Sequence, residues 1–123
     1  MKPALTLLIV DDERDLVDSL ARRLRMKGHH VFCAYSGEDA LEMLKKADVD
    51  VVVTDLRMPG ELSGRELYIQ LQALGISTPH FIFMSGYPDE LKSLQLQQQY
   101  IPNAPVSKLN KPFQVQELLD LIA

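Results

Sequence analysis

The chain has 123 residues and a mass of 13.9 kDa, enough for one well-buried core and too little for two. With 46% hydrophobic and 24% charged residues, its composition is that of a folded globular domain and excludes intrinsic disorder. A formal net charge of −4 excludes the concentrated basic surface that a direct grip on nucleic acid requires.

No apolar run approaches the ~20 residues of a membrane helix, so no membrane contact is expected. Met1-Lys2-Pro3-Ala4 and the short apolar run after it do not read as a signal peptide, so a cytoplasmic location is expected. Cys33 is the single cysteine, so no internal disulfide can form. In the middle of VFCAY it reads as a small buried strand residue without a redox role.

LTLLIV (Leu5 to Val10) is a continuous β-favouring run ending at Asp11-Asp12-Glu13, where acids can start a helix. In that helix Val17, Leu20, Ala21 and Leu24 recur at helical spacing, Arg14, Asp18, Arg22, Arg23 and Arg25 cover the other side, and Gly28 ends it. HVFCAY (His30 to Tyr35) predicts a second strand, Ser36-Gly37 a turn, and Ala40, Leu41, Leu44 and Ala47 the stripe of a second helix. DVVVT (Asp50 to Thr54) predicts the third strand. A third helix from Gly64 to Leu74 follows, with Leu67, Leu71 and Leu74 on one face and Gly75 as its stop.

HFIFMS (His80 to Ser85) predicts a fourth strand. A fourth helix from Pro88 to about Gln99 opens on Pro and two acids, but only Leu91, Leu94 and Leu96 are apolar and Gln95 to Gln99 is a polar low-complexity patch. PVSKL (Pro105 to Leu109) predicts a fifth strand, and Val115, Leu118, Leu119 and Ile122 the stripe of a final helix. Five strands alternating with five helices imply an α/β domain: a parallel sheet covered on both faces, which is why the strands read as solid apolar runs.

Ligands of such open sheets sit beyond the carboxyl ends of the strands, near the point where strand order reverses. There the first strand ends in Asp11-Asp12, the third in Asp55 and the fourth in Ser85, and Lys111 follows the fifth. Taken singly, Asp12 is explained as a helix cap, Ser85 as a turn hydroxyl and Lys111 as a solvated lysine; their convergence is not. Three carboxylates within ~5 Å repel by about 3 kcal/mol per pair at an effective dielectric of about 20, so the cluster requires a cation. Hard oxygen ligands without His or Cys select Mg²⁺. A metal, an ammonium and a hydroxyl around one carboxylate suit phosphoryl transfer, with Asp55 as the nucleophile and the adjacent Asp11 and Asp12 as metal holders.

Asp11-Asp12, Asp55, the MPG that follows it, Ser85-Gly86 and KPF (Lys111 to Phe113) resemble the response-regulator receiver domains of two-component signalling, the CheY-like family, over essentially all of residues 1–123. The resemblance implies a single doubly wound, flavodoxin-like domain with strand order 2-1-3-4-5. It implies that Asp55 accepts a phosphoryl group from a phosphohistidine on a sensor histidine kinase or a histidine phosphotransfer protein. Asp12, Asp55 and the Arg57 backbone carbonyl would bind Mg²⁺ with help from Asp11. Lys111, Ser85 and Gly86 would meet the phosphoryl group, Ser85 would act as the switch hydroxyl, and the Lys111-Pro112 bond would be cis. The fourth and fifth helices with the last strand would signal to an effector domain, a partner or a second copy in a homodimer. The chain would then be a regulatory phosphoacceptor and not an enzyme with turnover.

Two departures from the family pattern fall on that output face. Lys108 stands where receivers commonly carry an aromatic switch residue, and the stretch from Ser85 to Lys111 is a few residues longer than the family pattern, with the excess in QQQYIPNAP. Tyr87 and Tyr100 are the aromatics available to stand in. An aspartyl-phosphate phosphatase is the competing enzyme reading, but such enzymes resemble a D-x-D-x-T arrangement after the first strand and this chain has DDER. A receiver-like scaffold that is never phosphorylated is the third reading, and neither G-x-x-x-x-G-K nor G-x-G-x-x-G occurs. With Ala123 just after the final helix, no effector domain is expected within residues 1–123, and the stretch reads equally as a stand-alone receiver or as one excised from a transcription regulator or hybrid kinase.

Overall fold

The computed structural model describes residues 4–58, 60–76, 79–87 and 106–122. Its strands are β1 (Thr6–Val10), β2 (His30–Ala34), β3 (Val51–Asp55), β4 (His80–Ser85) and β5 (Val106–Asn110). Its helices are α1 (Arg14–Met26), α2 (Gly37–Lys46), α3 (Gly64–Ala73) and a C-terminal helix, Val115–Ile122. The predicted fourth helix, 88–99, lies outside the described residues.

All four strand pairings are parallel and the order is β2-β1-β3-β4-β5, the doubly wound arrangement expected. The central strands are apolar through Leu7 to Val10, Val51 to Val53 and Phe81 to Met84 because both faces are covered. Leu8, Val10, Val52, Phe81 and Phe83 face the layer that holds Leu44 of α2 and Leu67 and Leu71 of α3. Leu7, Ile9, Val53, Ile82 and Met84 face the layer of Val17, Leu20 and Leu24 of α1 and Leu118 of the C-terminal helix. Leu7 to Val10 are fully buried. At about 1.5–3 kcal/mol for each large apolar side chain, this burial fixes the register that carries the acids to the end of the sheet.

Helix ends follow local chemistry. Gly28 and Gly75 take φ of 95° and 70° just past α1 and α3, a left-handed turn in which an L side chain would be strained. Ser36 caps α2, its hydroxyl accepting from the Asp39 N–H at 3.1 Å. The start of α1 differs from a simple acid cap: Glu13 is the cap residue and makes no side-chain cap bond. Asp11 instead accepts from the Glu13 N–H at 3.0 Å, and Asp12 is left exposed. Cys33, expected to be buried, is half-buried because β2 is an edge strand; its neighbour Phe32 is exposed for the same reason.

Candidate functional site

Strand order reverses between β1 and β3, so a crevice opens between their carboxyl ends. The Asp11 N–H donates to the Ala34 carbonyl at 3.3 Å, extending the β1–β2 ladder one residue past β1 and fixing Asp11 at the mouth of that crevice. Asp55 closes β3 beside it. Thr54, fully buried, donates its hydroxyl to the Asp55 carbonyl at 3.1 Å. Gly64 opens α3 directly against that carbonyl; a Cβ there would run into the Asp55 oxygen, so glycine is required at this contact.

Asp11, Asp12 and Asp55 each present a carboxylate oxygen, and these oxygens lie within 4.8 Å of one another. Asp11 is buried, Asp55 partly buried and Asp12 exposed, a gradient from core to solvent. Lys111 comes across from the end of β5, and its Nζ donates to Asp11 Oδ2 at 2.7 Å and to Asp55 Oδ2 at 3.1 Å. Its own N–H donates to the Ser85 carbonyl at 2.8 Å, tying the two strand ends together. Burial alone would lower the Lys111 pKa, but the hydrogen bond to Asp11 and the charges of Asp55 and Asp11 outweigh it, and the pKa is raised. Lys111 is therefore firmly cationic. One ammonium against three carboxylates leaves acceptor oxygens for a hard cation, and the all-oxygen donor set fits Mg²⁺.

Ser85, buried at the end of β4, accepts from the Tyr87 N–H at 2.9 Å and lies 3.3 Å from the Tyr87 carbonyl. The response regulator receiver domain model matches residues 7–123. The chain belongs to the receiver domain family.

Among relatives of this receiver, the transcriptional regulatory protein GlrR of Escherichia coli is 36% identical over 96 residues, covering 76% of this chain and 21% of that protein. The chain thus spans about a fifth of the length of such relatives. The solved structure of FixJ-N is 32% identical with a TM-score of 0.75, over 99% of this chain and 92% of that one. The receiver domain from hybrid histidine kinase CckA is 27% identical with a TM-score of 0.76, over 95% and 94% of the two chains. The receiver is a regulatory domain of two-component systems. Among its described residues, no helix is long and apolar enough to cross a membrane.

The sequence-predicted set Asp11, Asp12, Asp55, Lys111 and Ser85 collects at one end of this receiver's sheet. Gly86 is exposed next to Ser85, and the Lys111-Pro112 peptide bond is cis. Lys108 lies half-buried on β5 opposite Phe83, on the strand face that also carries Val106. Tyr100 lies outside the described residues. Sequence reasoning missed two contacts. The Arg57 guanidinium carbon lies 5.3 Å from the centre of the exposed Tyr87 ring, joining the loop after β3 to the loop after β4. Glu38, at the start of α2, accepts from the Leu62 N–H at 3.1 Å. Neither has a sequence signal, because each joins segments that only the folded sheet brings together.

Proposed function

We propose that residues 1–123 act as one receiver unit in which Asp55 accepts a phosphoryl group from a phosphohistidine of a sensor histidine kinase or histidine phosphotransfer protein. The observation that carries this reading is Lys111, whose one ammonium bridges Asp11 and Asp55 at the strand-order reversal. A carboxylate oxygen of Asp55 attacks phosphorus, the phosphorus–nitrogen bond breaks, and its electron pair returns to the donor imidazole, leaving an acyl phosphate on Asp55. Lys111 neutralises oxygen charge on the group in transfer. Asp11, Asp12, Asp55 and the Arg57 carbonyl would hold Mg²⁺, which when bound supplies charge neutralisation to the phosphoryl oxygens.

Phosphorylation adds about one to one and a half negative charges and new acceptor oxygens at Asp55. Ser85 and the Gly86 N–H then gain a partner, and the Ser85 hydroxyl exchanges its Tyr87 backbone contacts for the phosphoryl group. That exchange biases the loop after β4 and the output face expected of the predicted fourth helix, β5 and the C-terminal helix, which would signal to an effector domain, a partner or a second copy. Lys108 replaces the aromatic that commonly turns inward in this family, so the switch here runs through Ser85 and Tyr87. Hydrolysis of the acyl phosphate returns the domain to its starting state, as self-catalysed turnover of its own modification. DNA contact, if the signal ends there, belongs to an effector domain and not to this acidic unit.

Incubation with phosphoramidate or acetyl phosphate and Mg²⁺ tests this by intact mass. One phosphoryl group per chain is expected, with none on Asp55→Asn. Repeated turnover of a phosphate ester without stoichiometric labelling would identify a phosphatase instead. Beryllofluoride with Mg²⁺ is expected to perturb the Ser85 loop, and no perturbation at saturating Mg²⁺ would count against a competent receiver.

A further inference from the structure

The segment after Asp55 must hold the Arg57 carbonyl in place although no strand or helix contains it. Its beginning is fixed by the sheet: the Leu56 N–H donates to the Met84 carbonyl at 2.9 Å, and Leu56 and Met58 are buried in the core. Its end is fixed by Gly64 packed on the Asp55 carbonyl. Between these points, residues 60–62 meet the first turn of α2. The Glu38 carboxylate accepts from the Leu62 N–H at 3.1 Å. Gly60 has a φ of 100°, and a Cβ on it would lie 3.4 Å from Glu38 Oε1, so the same carboxylate lies close to both Gly60 and Leu62. At Gly37 a Cβ would collide with the Leu62 carbonyl oxygen, so the helix backbone itself abuts the loop.

We propose that Glu38 is a positioning residue for the metal site: by holding the Leu62 N–H it fixes the β3–α3 loop, and with it the Arg57 carbonyl, where a divalent cation requires an oxygen. The inference rests on the receiver reading above, in which Arg57 lends that carbonyl. Mg²⁺ tolerates little departure from octahedral geometry, so a ligand on an untethered loop would have to be ordered at the moment of binding. Glu38 is exposed and is not one of the three clustered carboxylates, so its charge is screened and its effect is geometric.

Glu38→Gln keeps an amide oxygen to accept the Leu62 N–H and removes the charge, whereas Glu38→Ala removes both. Calorimetric Mg²⁺ titration, exchange of the Leu62 amide proton by NMR and thermal melting of both variants and the wild type separate the possibilities. Glu38→Ala is expected to weaken Mg²⁺ binding about three- to tenfold, below or at the lower end of the effect of losing a contact made directly to a metal ligand. Its Leu62 amide exchanges faster and its melting temperature barely moves, while Glu38→Gln stays close to wild type in all three. Equal weakening in both variants would assign the effect to charge and overturn the proposal, as would unchanged affinity in Glu38→Ala. If Glu38→Ala melts too low to titrate, Gly37→Ala displaces the same loop through its Cβ. Weakened Mg²⁺ binding is expected there, and unchanged affinity overturns the proposal. A wild-type chain that binds no Mg²⁺ would refute the receiver reading itself, which is distinguishable from a failure of the Glu38 inference alone.

Discussion

Replacing Lys111 by Met keeps an apolar stem of similar length and removes the ammonium between two carboxylates. The contacts at 2.7 and 3.1 Å are worth about 6 and about 5 kcal/mol in gross Coulomb energy at an effective dielectric of about 20. Asp11 and Asp55, with oxygens within 4.8 Å, then face each other unscreened and repel by about 3.5 kcal/mol at the same dielectric. Relief from burying the lysine offsets much of the lost attraction. Breaking a buried pair from one side leaves a net loss of about 3 kcal/mol, or roughly 10 °C in melting temperature for a domain of this size. Mg²⁺ should restore the variant more than it stabilises the wild type, because the cluster has gained one net negative charge and lost a competitor for its oxygens. The difference is on the order of 1–2 kcal/mol. The raised Lys111 pKa means the ion pairs contribute fully below the ordinary lysine value and are lost only as pH rises through the folded value. Denaturation at neutral pH with and without saturating Mg²⁺ is therefore the assay. Equal stability of variant and wild type without metal, or equal stabilisation of both by Mg²⁺, would refute the reasoning.

Gly64→Ala should destabilise by about 1–3 kcal/mol, because its Cβ meets the Asp55 carbonyl; denaturant melts showing no loss would mean that α3 shifts freely. Tyr68→Phe should be neutral or stabilise by about 1 kcal/mol, since the buried Tyr68 hydroxyl has no partner among the described residues; a clear loss of stability would contradict this. Burial lowers the His80 pKa below 6.5, so the unfolded chain takes up its proton first and stability falls as pH drops through 6.5. His80→Gln should flatten that acid-side slope, and unchanged slopes in paired pH titrations of unfolding would refute the assignment.

The fold was legible where burial dictates sequence. Val51 to Val53 and Phe81 to Met84 are apolar throughout because helices cover both faces, and their ends carried Asp55 and Ser85 to the same edge. Lys111 was legible for a different reason: it follows the fifth strand, so the parallel topology had to return it to that edge. Edges and loops were less legible. Cys33 was read as buried and is half-buried beside an exposed Phe32, because nothing in HVFCAY shows that β2 has a neighbour on one side only. Strand five runs one residue further than predicted, to Asn110, since β-propensity does not mark where pairing with β4 ends. Arg57 with Tyr87, Glu38 with Leu62 and His80 with Ser107 join residues far apart in sequence whose types are unremarkable where they stand. Such contacts follow from register and loop path, which periodicity does not encode.

The central claim is that Asp55 forms the acyl phosphate. The chain would be treated with phosphoramidate and Mg²⁺, trapped with borohydride, which reduces an aspartyl phosphate to homoserine, and mapped by peptide mass spectrometry. The account predicts one modified residue, Asp55, and no modification when Mg²⁺ is withheld by chelation. Modification at Asp11 or Asp12, or none at all in the presence of Mg²⁺, would contradict it.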